Sequence, residues 1–421
     1  MLRHAVLLSC VFACGKPQGT LEITTGGEAD VFTKDPKPTQ IVVETFSTDG
    51  TATRIGQSAL PVTTLELAEQ KKDANATIRV TARDDAGNIL AQGSSLLIQL
   101  GVLADHTLQI FVQRDGELAR MPQGVDDARE APMLGMLGGR YIFVVGGTLG
   151  TATQLYDLMS FVPFVNPPPM PFVPTSIVPI DTGELLISDT DVKTYDFSMA
   201  ADAAQSTPAQ PANGTWAEVA GGPTIEGEAG VQYVVGAART TGAATDKILQ
   251  VKPDGTAVFL KLNQARLGAA TCWVPGRGLV VSGSTMGMAG LELVPANSSP
   301  LTITTMTWPA GVCAALDGAR VVVATGTSAT VTDLGCAPNC MPTPFGGTLA
   351  NAPLQLFSST ANDIFALGDA MDGTTHAYRL SKDSSVEVPF KGPHKRARGL
   401  RLPTGAIAVV GGSNVIESFV P

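Results

Sequence analysis

Histidine is nearly absent from this chain: four in 421 residues, at His4, His106, His376 and His394. A Ser or Cys nucleophile needs an adjacent base, most often His, and no Gly-x-Ser-x-Gly elbow is present. None of the four has metal-ligand spacing to a cysteine. No catalytic residue, metal or cofactor is therefore assigned, and the chain is read as a non-enzyme. Charge is sparse as well: 16% of residues are Asp, Glu, Lys or Arg, with a formal net charge of −10. Holding nucleic acid needs a basic face that releases counterions, so no nucleic-acid partner is expected. No apolar run approaches the roughly 18 residues of a membrane-spanning helix, and amphipathic helical periodicity is missing throughout.

What the chain does have is short Val/Ile/Leu runs punctuated by Thr, Gly and Pro, an all-β pattern. YIFVVGG ends at Gly147, and the same kind of strand recurs downstream. GELLISDT covers 183–190, GVQYVVGA reaches Gly236 and GRGLVVSG ends at Gly283. GARVVVATG ends at Gly326, DIFALGD contains Gly368 and GAIAVVGG ends at Gly412. From Gly236 onward the steps are 47, 43, 42 and 44 residues. A second strand follows each, as in TQLYDL (153–158) and VKTYDF (192–197). Outer strands are expected at TWAEVA (215–220), TAVFLKL (256–262) and SVEVPF (385–390). Each unit is thus a meander of about four strands over roughly 40–50 residues. One such sheet cannot bury both faces, and radial stacking closes the set into a propeller.

VVGG, then Tyr-Asp, then a Trp some twenty residues on, with an Arg in the connection to the next unit, resembles the kelch repeat. ELARMPQGVDDAREAPMLGMLGGRYIFVVGGTLGTATQLYD is the fullest copy, and the resemblance spans about 118–421. It implies a seven-bladed kelch-like β-propeller over 116–421. The paired glycines are expected to give inner strands room near the axis. The last unit lacks its fourth strand, so strand 117–121 is expected to pair with the C-terminal strand and close the ring. Residues 14–115 read instead as alternating strands, a pattern that suits an Ig-like or fibronectin-like β-sandwich.

The N-terminus, MLRHAVLLSCVFACG, has a basic start and a short apolar stretch. Val11-Phe12-Ala13-Cys14 resembles a bacterial lipoprotein box, with Leu7-Leu8-Ser9-Cys10 as a rival and an ordinary signal peptide as the alternative. The resemblance implies a signal peptide over 1–13, lipidation at Cys14 and an outer-membrane address. Four further cysteines suit two disulfides in an exported protein. Cys336 and Cys340 would close a tight loop. Cys272 and Cys313 precede the apolar strands of successive units, as a cross-blade bond or as two free buried thiols.

In a four-stranded meander the 2–3 loops and the 4–1 connections emerge on one rim. The loops carry Asp189, Asp191, Asp369 and Asp372, and the connections carry Arg129, Arg266 and Arg398. Together with Thr and Met these form the candidate ligand-binding face. The competing reading makes each arginine a blade cap bonded to backbone carbonyls. A rim rich in Arg, Thr and Met would favour a protein partner. The expected role is non-catalytic binding or scaffolding at the bacterial cell envelope by a monomer that recognises a protein or glycan. The alternatives are a carbohydrate-active propeller enzyme and a purely structural envelope lipoprotein.

Overall fold

The structure is a computed structural model that describes residues 20–62, 67–68, 73–101, 107–164, 167–196, 204–296, 299–336 and 340–421. The signal segment 1–13 and Cys14 lie outside the described residues. The described residues hold strands and short 3-10 turns, with no α-helix among them. Seven four-stranded antiparallel sheets, blades 1–7, follow one another at 133–163, 176–206, 224–266, 270–304, 312–348, 353–387 and 398–419. The first strand of each blade contacts the first strand of the next, and that of blade 7 returns to that of blade 1. The ring is closed, a seven-bladed β-propeller.

Blade 7 takes its outer strand from the front of the domain. Leu118–Gly124 pairs antiparallel with Val415–Phe419, setting Leu118 opposite Phe419 and Arg120 opposite Glu417. Leu118 is buried with Phe365, Phe419 and Ile407 between blades 6 and 7. Apolar residues on the strand faces fill the gaps between all neighbouring blades. Ile142, Val144, Ala408 and Val410, for example, share one cluster between blades 7 and 1. The second strands are buried almost end to end, which is why their apolar runs are continuous rather than alternating.

Blade 2 differs from expectation. Its outer strand is Ala204–Ser206, and Trp216–Glu218 is a 3-10 turn that Thr215 and Glu218 cap reciprocally. Trp216 is buried there against Phe259 of blade 3. Both disulfides form. Cys272–Cys313 joins the first strands of blades 4 and 5 with 5.3 Å between Cα atoms, and Cys336–Cys340 closes the short loop.

The N-terminal residues form a six-stranded sheet and a two-stranded parallel sheet, Thr20–Thr24 beside Thr107–Phe111. Leu21, Ile23, Leu108 and Ile110 share a core with Ile41, Val43, Ile78 and Val80. The module is docked on the closing strand. Gln113 Nε2 donates to Ser418 O at 2.9 Å, Arg120 pairs with Glu28 at 2.8 Å, and Lys34 pairs with Glu117 at 2.7 Å.

Candidate functional site

The 2–3 loops and the 4–1 connections touch at the rim, and glycine marks the contact. A Cβ on Gly147 would lie 2.0 Å from Glu130 O, and one on Gly412 would lie 2.0 Å from Lys395 N. Both glycines also take positive φ, 60° and 76°. The second glycine of the pair is therefore required by the turn and by the incoming connection, not by crowding at the axis.

Arg129 and Arg266 are 1% and 0% exposed. Arg129 Nη1 donates to Gly146 O at 3.1 Å, and Arg266 Nη1 donates to Gly283 O at 3.2 Å and to Gly290 O at 2.5 Å. Each bond reaches 17 residues forward, to the glycine that ends the second strand. The same 17-residue step in blade 7 starts at His394, whose Nδ1 lies 3.0 Å from Gly411 O. The counterpart of Arg129 and Arg266 is thus His394, not Arg398. As placed, Arg129 and Arg266 cap backbone and present no guanidinium to solvent, which corrects their assignment to a ligand face. Arg398 lies on the first strand of blade 7, where Nη1 contacts Ala397 O at 2.8 Å and Asp369 Oδ2 at 3.3 Å.

A polar residue occupies one place on the third strand beside each cap, opposite the residue two before the glycine. In blade 4 it is Glu292, opposite Val281, and in blade 7 it is Glu417, opposite Val409. Glu292 pairs with Arg266 Nη2 and accepts Asn263 N at 2.8 Å. Glu417 accepts Lys391 N and Gly392 N and lies 3.3 Å from His394 Nε2. In blade 1 the position is Gln154, opposite Val144. Gln154 Oε1, Arg129 Nε and Arg129 Nη2 have no hydrogen-bond partner among the described residues. Burial pushes the Arg129 guanidinium down to about 10. Gln154→Glu should bring a carboxylate to Arg129 while giving up the Gln154 Nε2 bond to Asp127 O at 2.9 Å, for a net gain in stability of at most about 1 kcal/mol. Thermal melts would show this as a higher melting temperature, and a lower one would mean that the blade 1 cap does not admit the carboxylate.

Of the acidic candidates, Asp369 is brought together with Arg398. Asp189 and Asp191 are exposed in the turn of blade 2, and Asp372 is exposed in blade 6, where it accepts Thr374 N at 2.8 Å. These two acidic turns belong to different blades and build no common pocket. What the rim does present is methionine. Met286 and Met288 in the 2–3 loop of blade 4 are 59% and 82% exposed, and Met306 in the following connection is 57% exposed. Met371, in the loop of blade 6, is fully exposed. Trp308 N donates to Ala289 O at 2.9 Å, which ties the loop carrying Met286 and Met288 to the connection carrying Met306. These side chains were visible in sequence as part of a mixed rim, but their exposure was not.

No family model matches the chain, and no curated protein matches it. Among solved structures it is similar to a quinonprotein alcohol dehydrogenase-like protein from Bacteroides thetaiotaomicron. That likeness covers 92% of this chain and 97% of the other at 10% identity, with a TM-score of 0.41. It is also similar to PorZ, a bacterial surface component of the type-IX secretion system of Porphyromonas gingivalis. There 99% of this chain and 60% of the other are covered at 11% identity, with a TM-score of 0.20. The seven closed sheets define the class on their own: a seven-bladed β-propeller with an N-terminal β-domain docked on its closing strand.

Proposed function

We propose that this protein is a kelch-like propeller lipoprotein of the bacterial cell envelope that binds a partner protein through its loop rim without catalysis. Cys14 would carry the lipid anchor in the outer membrane, and the N-terminal domain, Ig-like in this reading, would hold the propeller off the bilayer. The exposed methionines carry the proposal. Met286, Met288, Met306 and Met371 all lie on the rim built by the 2–3 loops and 4–1 connections. Exposed apolar side chains grouped at one end of a molecule mark interaction surfaces. Thioether chains are polarisable and adaptable, which suits protein contacts better than the directional hydrogen bonding of a sugar.

The test is site-specific photo-crosslinking in envelopes from positions 286, 288, 306 and 371, with Met341, exposed outside this rim, as a control. A single discrete adduct shared by the rim positions is expected, and Met288→Asp with Met371→Asp should abolish it while circular dichroism stays unchanged. Adducts that are equally diffuse at the rim and at Met341 would refute rim recognition.

A further inference from the structure

We propose that the cavity between the N-terminal domain and the propeller is a binding site for an acidic sugar. The cavity has a volume of about 200 Å³ and is lined by Arg79, Gln92, Phe111 and Gln113 of the N-terminal domain and by Phe161 and Leu402 of the propeller. It also takes residues from the 402–406 turn of blade 7, a 1–2 turn. The cavity therefore opens at the end opposite the methionine rim and does not depend on rim recognition.

One polar group in it is unsatisfied, and a second, a cation, has no hydrogen bond. Gln113 is 1% exposed, and its Nε2 is committed to Ser418 O at 2.9 Å and Glu117 O at 3.3 Å. Its Oε1 has no donor among the described residues. A buried acceptor left unpaired is costly, and native structures rarely keep one without a ligand or a water. Arg79 lies over the Phe46 ring at 4.2 Å, forms no hydrogen bond or direct ion pair among the described residues, and has the Asp115 carboxyl as an electrostatic neighbour. A water would satisfy Gln113 alone. The cavity as a whole offers a planar cation, a buried acceptor, the amide of Gln92, whose Nε2 also donates to Asp115 Oδ2 at 3.2 Å, and an aromatic wall.

The chemistry that matches all four is a sugar acid. Its carboxylate suits the Arg79 fork. A ring hydroxyl can donate to Gln113 Oε1, and another can meet Gln92. The apolar C–H face can pack on Phe111 and Phe161. Domain junctions are a common place for sites of this mixed apolar and polar character.

Calorimetry and thermal melts of the purified full chain with D-glucuronate, D-glucose and acetate test the site. D-glucuronate is expected to bind one to one and to raise the melting temperature, because it would bind the docked, folded state. Arg79→Met should weaken it roughly tenfold to a hundredfold, and D-glucose and acetate should each bind more weakly by a similar factor. Thr404→Trp, in the turn that borders the cavity, should block binding even if Arg79→Met folds poorly. The proposal is overturned if D-glucuronate shows no saturable binding, if D-glucose binds as well, or if the folded variants bind unchanged.

Discussion

Glu292→Gln is expected to destabilise the protein by about 3–5 kcal/mol, far more than a typical surface change. Glu292 and Arg266 have side chains 1% and 0% exposed, and they hold the connection between blades 3 and 4. Removing the negative charge leaves an ionised guanidinium in the core. It could keep its bonds to Gly283 O and Gly290 O, but it would have no counter-charge. The penalty is one of uncompensated burial, not the net worth of the pair. Replacing both members, Arg266→Met with Glu292→Leu, should therefore cost much less than Glu292→Gln alone. It will not be free, because the carbonyls of Gly283 and Gly290 and the Asn263 amide lose their partners. A denaturant series on the wild type, both single variants and the double variant measures the coupling. A double variant as unstable as Glu292→Gln would show that backbone capping, not charge pairing, is what blade 4 requires. Either result bears on function, since both place Arg266 inside the scaffold and leave the rim to other residues.

The repeat was legible because the strands that reveal it are buried on both faces. Val144, Val234, Val280, Val322 and Val409 are each wholly buried, so selection for apolar side chains at those places is strong enough to read by eye. Closure was legible by subtraction, since a last unit with three strands needs a fourth from elsewhere. Outer strands were harder. Ala52–Ala59 is an edge strand exposed over much of its length, and Ala204–Ser206 lies in a stretch rich in Ala, Pro and Gln, so neither carries a strong strand pattern. An edge strand meets solvent on one side and needs little apolar content. The Arg set was misjudged for a different reason. Arg129, Arg266 and Arg398 were grouped by residue type, whereas the structural constant is the 17-residue offset to the glycine, which selects His394. The partner glutamates were legible in principle. Glu292 in GLELV and Glu417 in NVIESFV are lone charges inside apolar strands, and a buried charge of that kind implies a partner.

Glu184 is another lone charge inside an apolar strand, and it lacks the partner. It lies on Gly183–Ile187, is 0% exposed, and neither carboxyl oxygen has a hydrogen-bond partner among the described residues. It pairs in register with Pro179, the penultimate residue of the first strand of blade 2. On the same face, toward the preceding blade and two residues before the equivalents of Leu186, blades 1, 4, 6 and 7 have Ile142, Leu279, Ile364 and Ile407, and blade 3 has the buried amide Gln232. Blade 2 thus keeps a carboxyl where blades 1, 4, 6 and 7 keep an aliphatic side chain. Burial raises the Glu184 pKa well above the ordinary value of 4.5. The folded state then binds a proton that the unfolded chain releases above about pH 4.5. The folded state holds more protons over that range, so the Glu184 contribution to stability falls as pH rises from 4.5 toward the folded pKa. Glu184→Leu removes the group with little change in volume. It should raise stability by about 1–3 kcal/mol at pH 8, with a gain that shrinks steadily toward pH 4. Glu184→Gln should remove the same pH dependence but gain less stability, since its amide remains buried and unpaired. Melting curves of the three proteins from pH 4 to 8 decide the matter. If Glu184→Leu is less stable than wild type at pH 8, the carboxyl has a partner in solution, and the gap between blades 1 and 2 holds ordered water. A gain that grows with pH would show that blade 2 carries a net destabilising acid that the closed ring of seven blades tolerates.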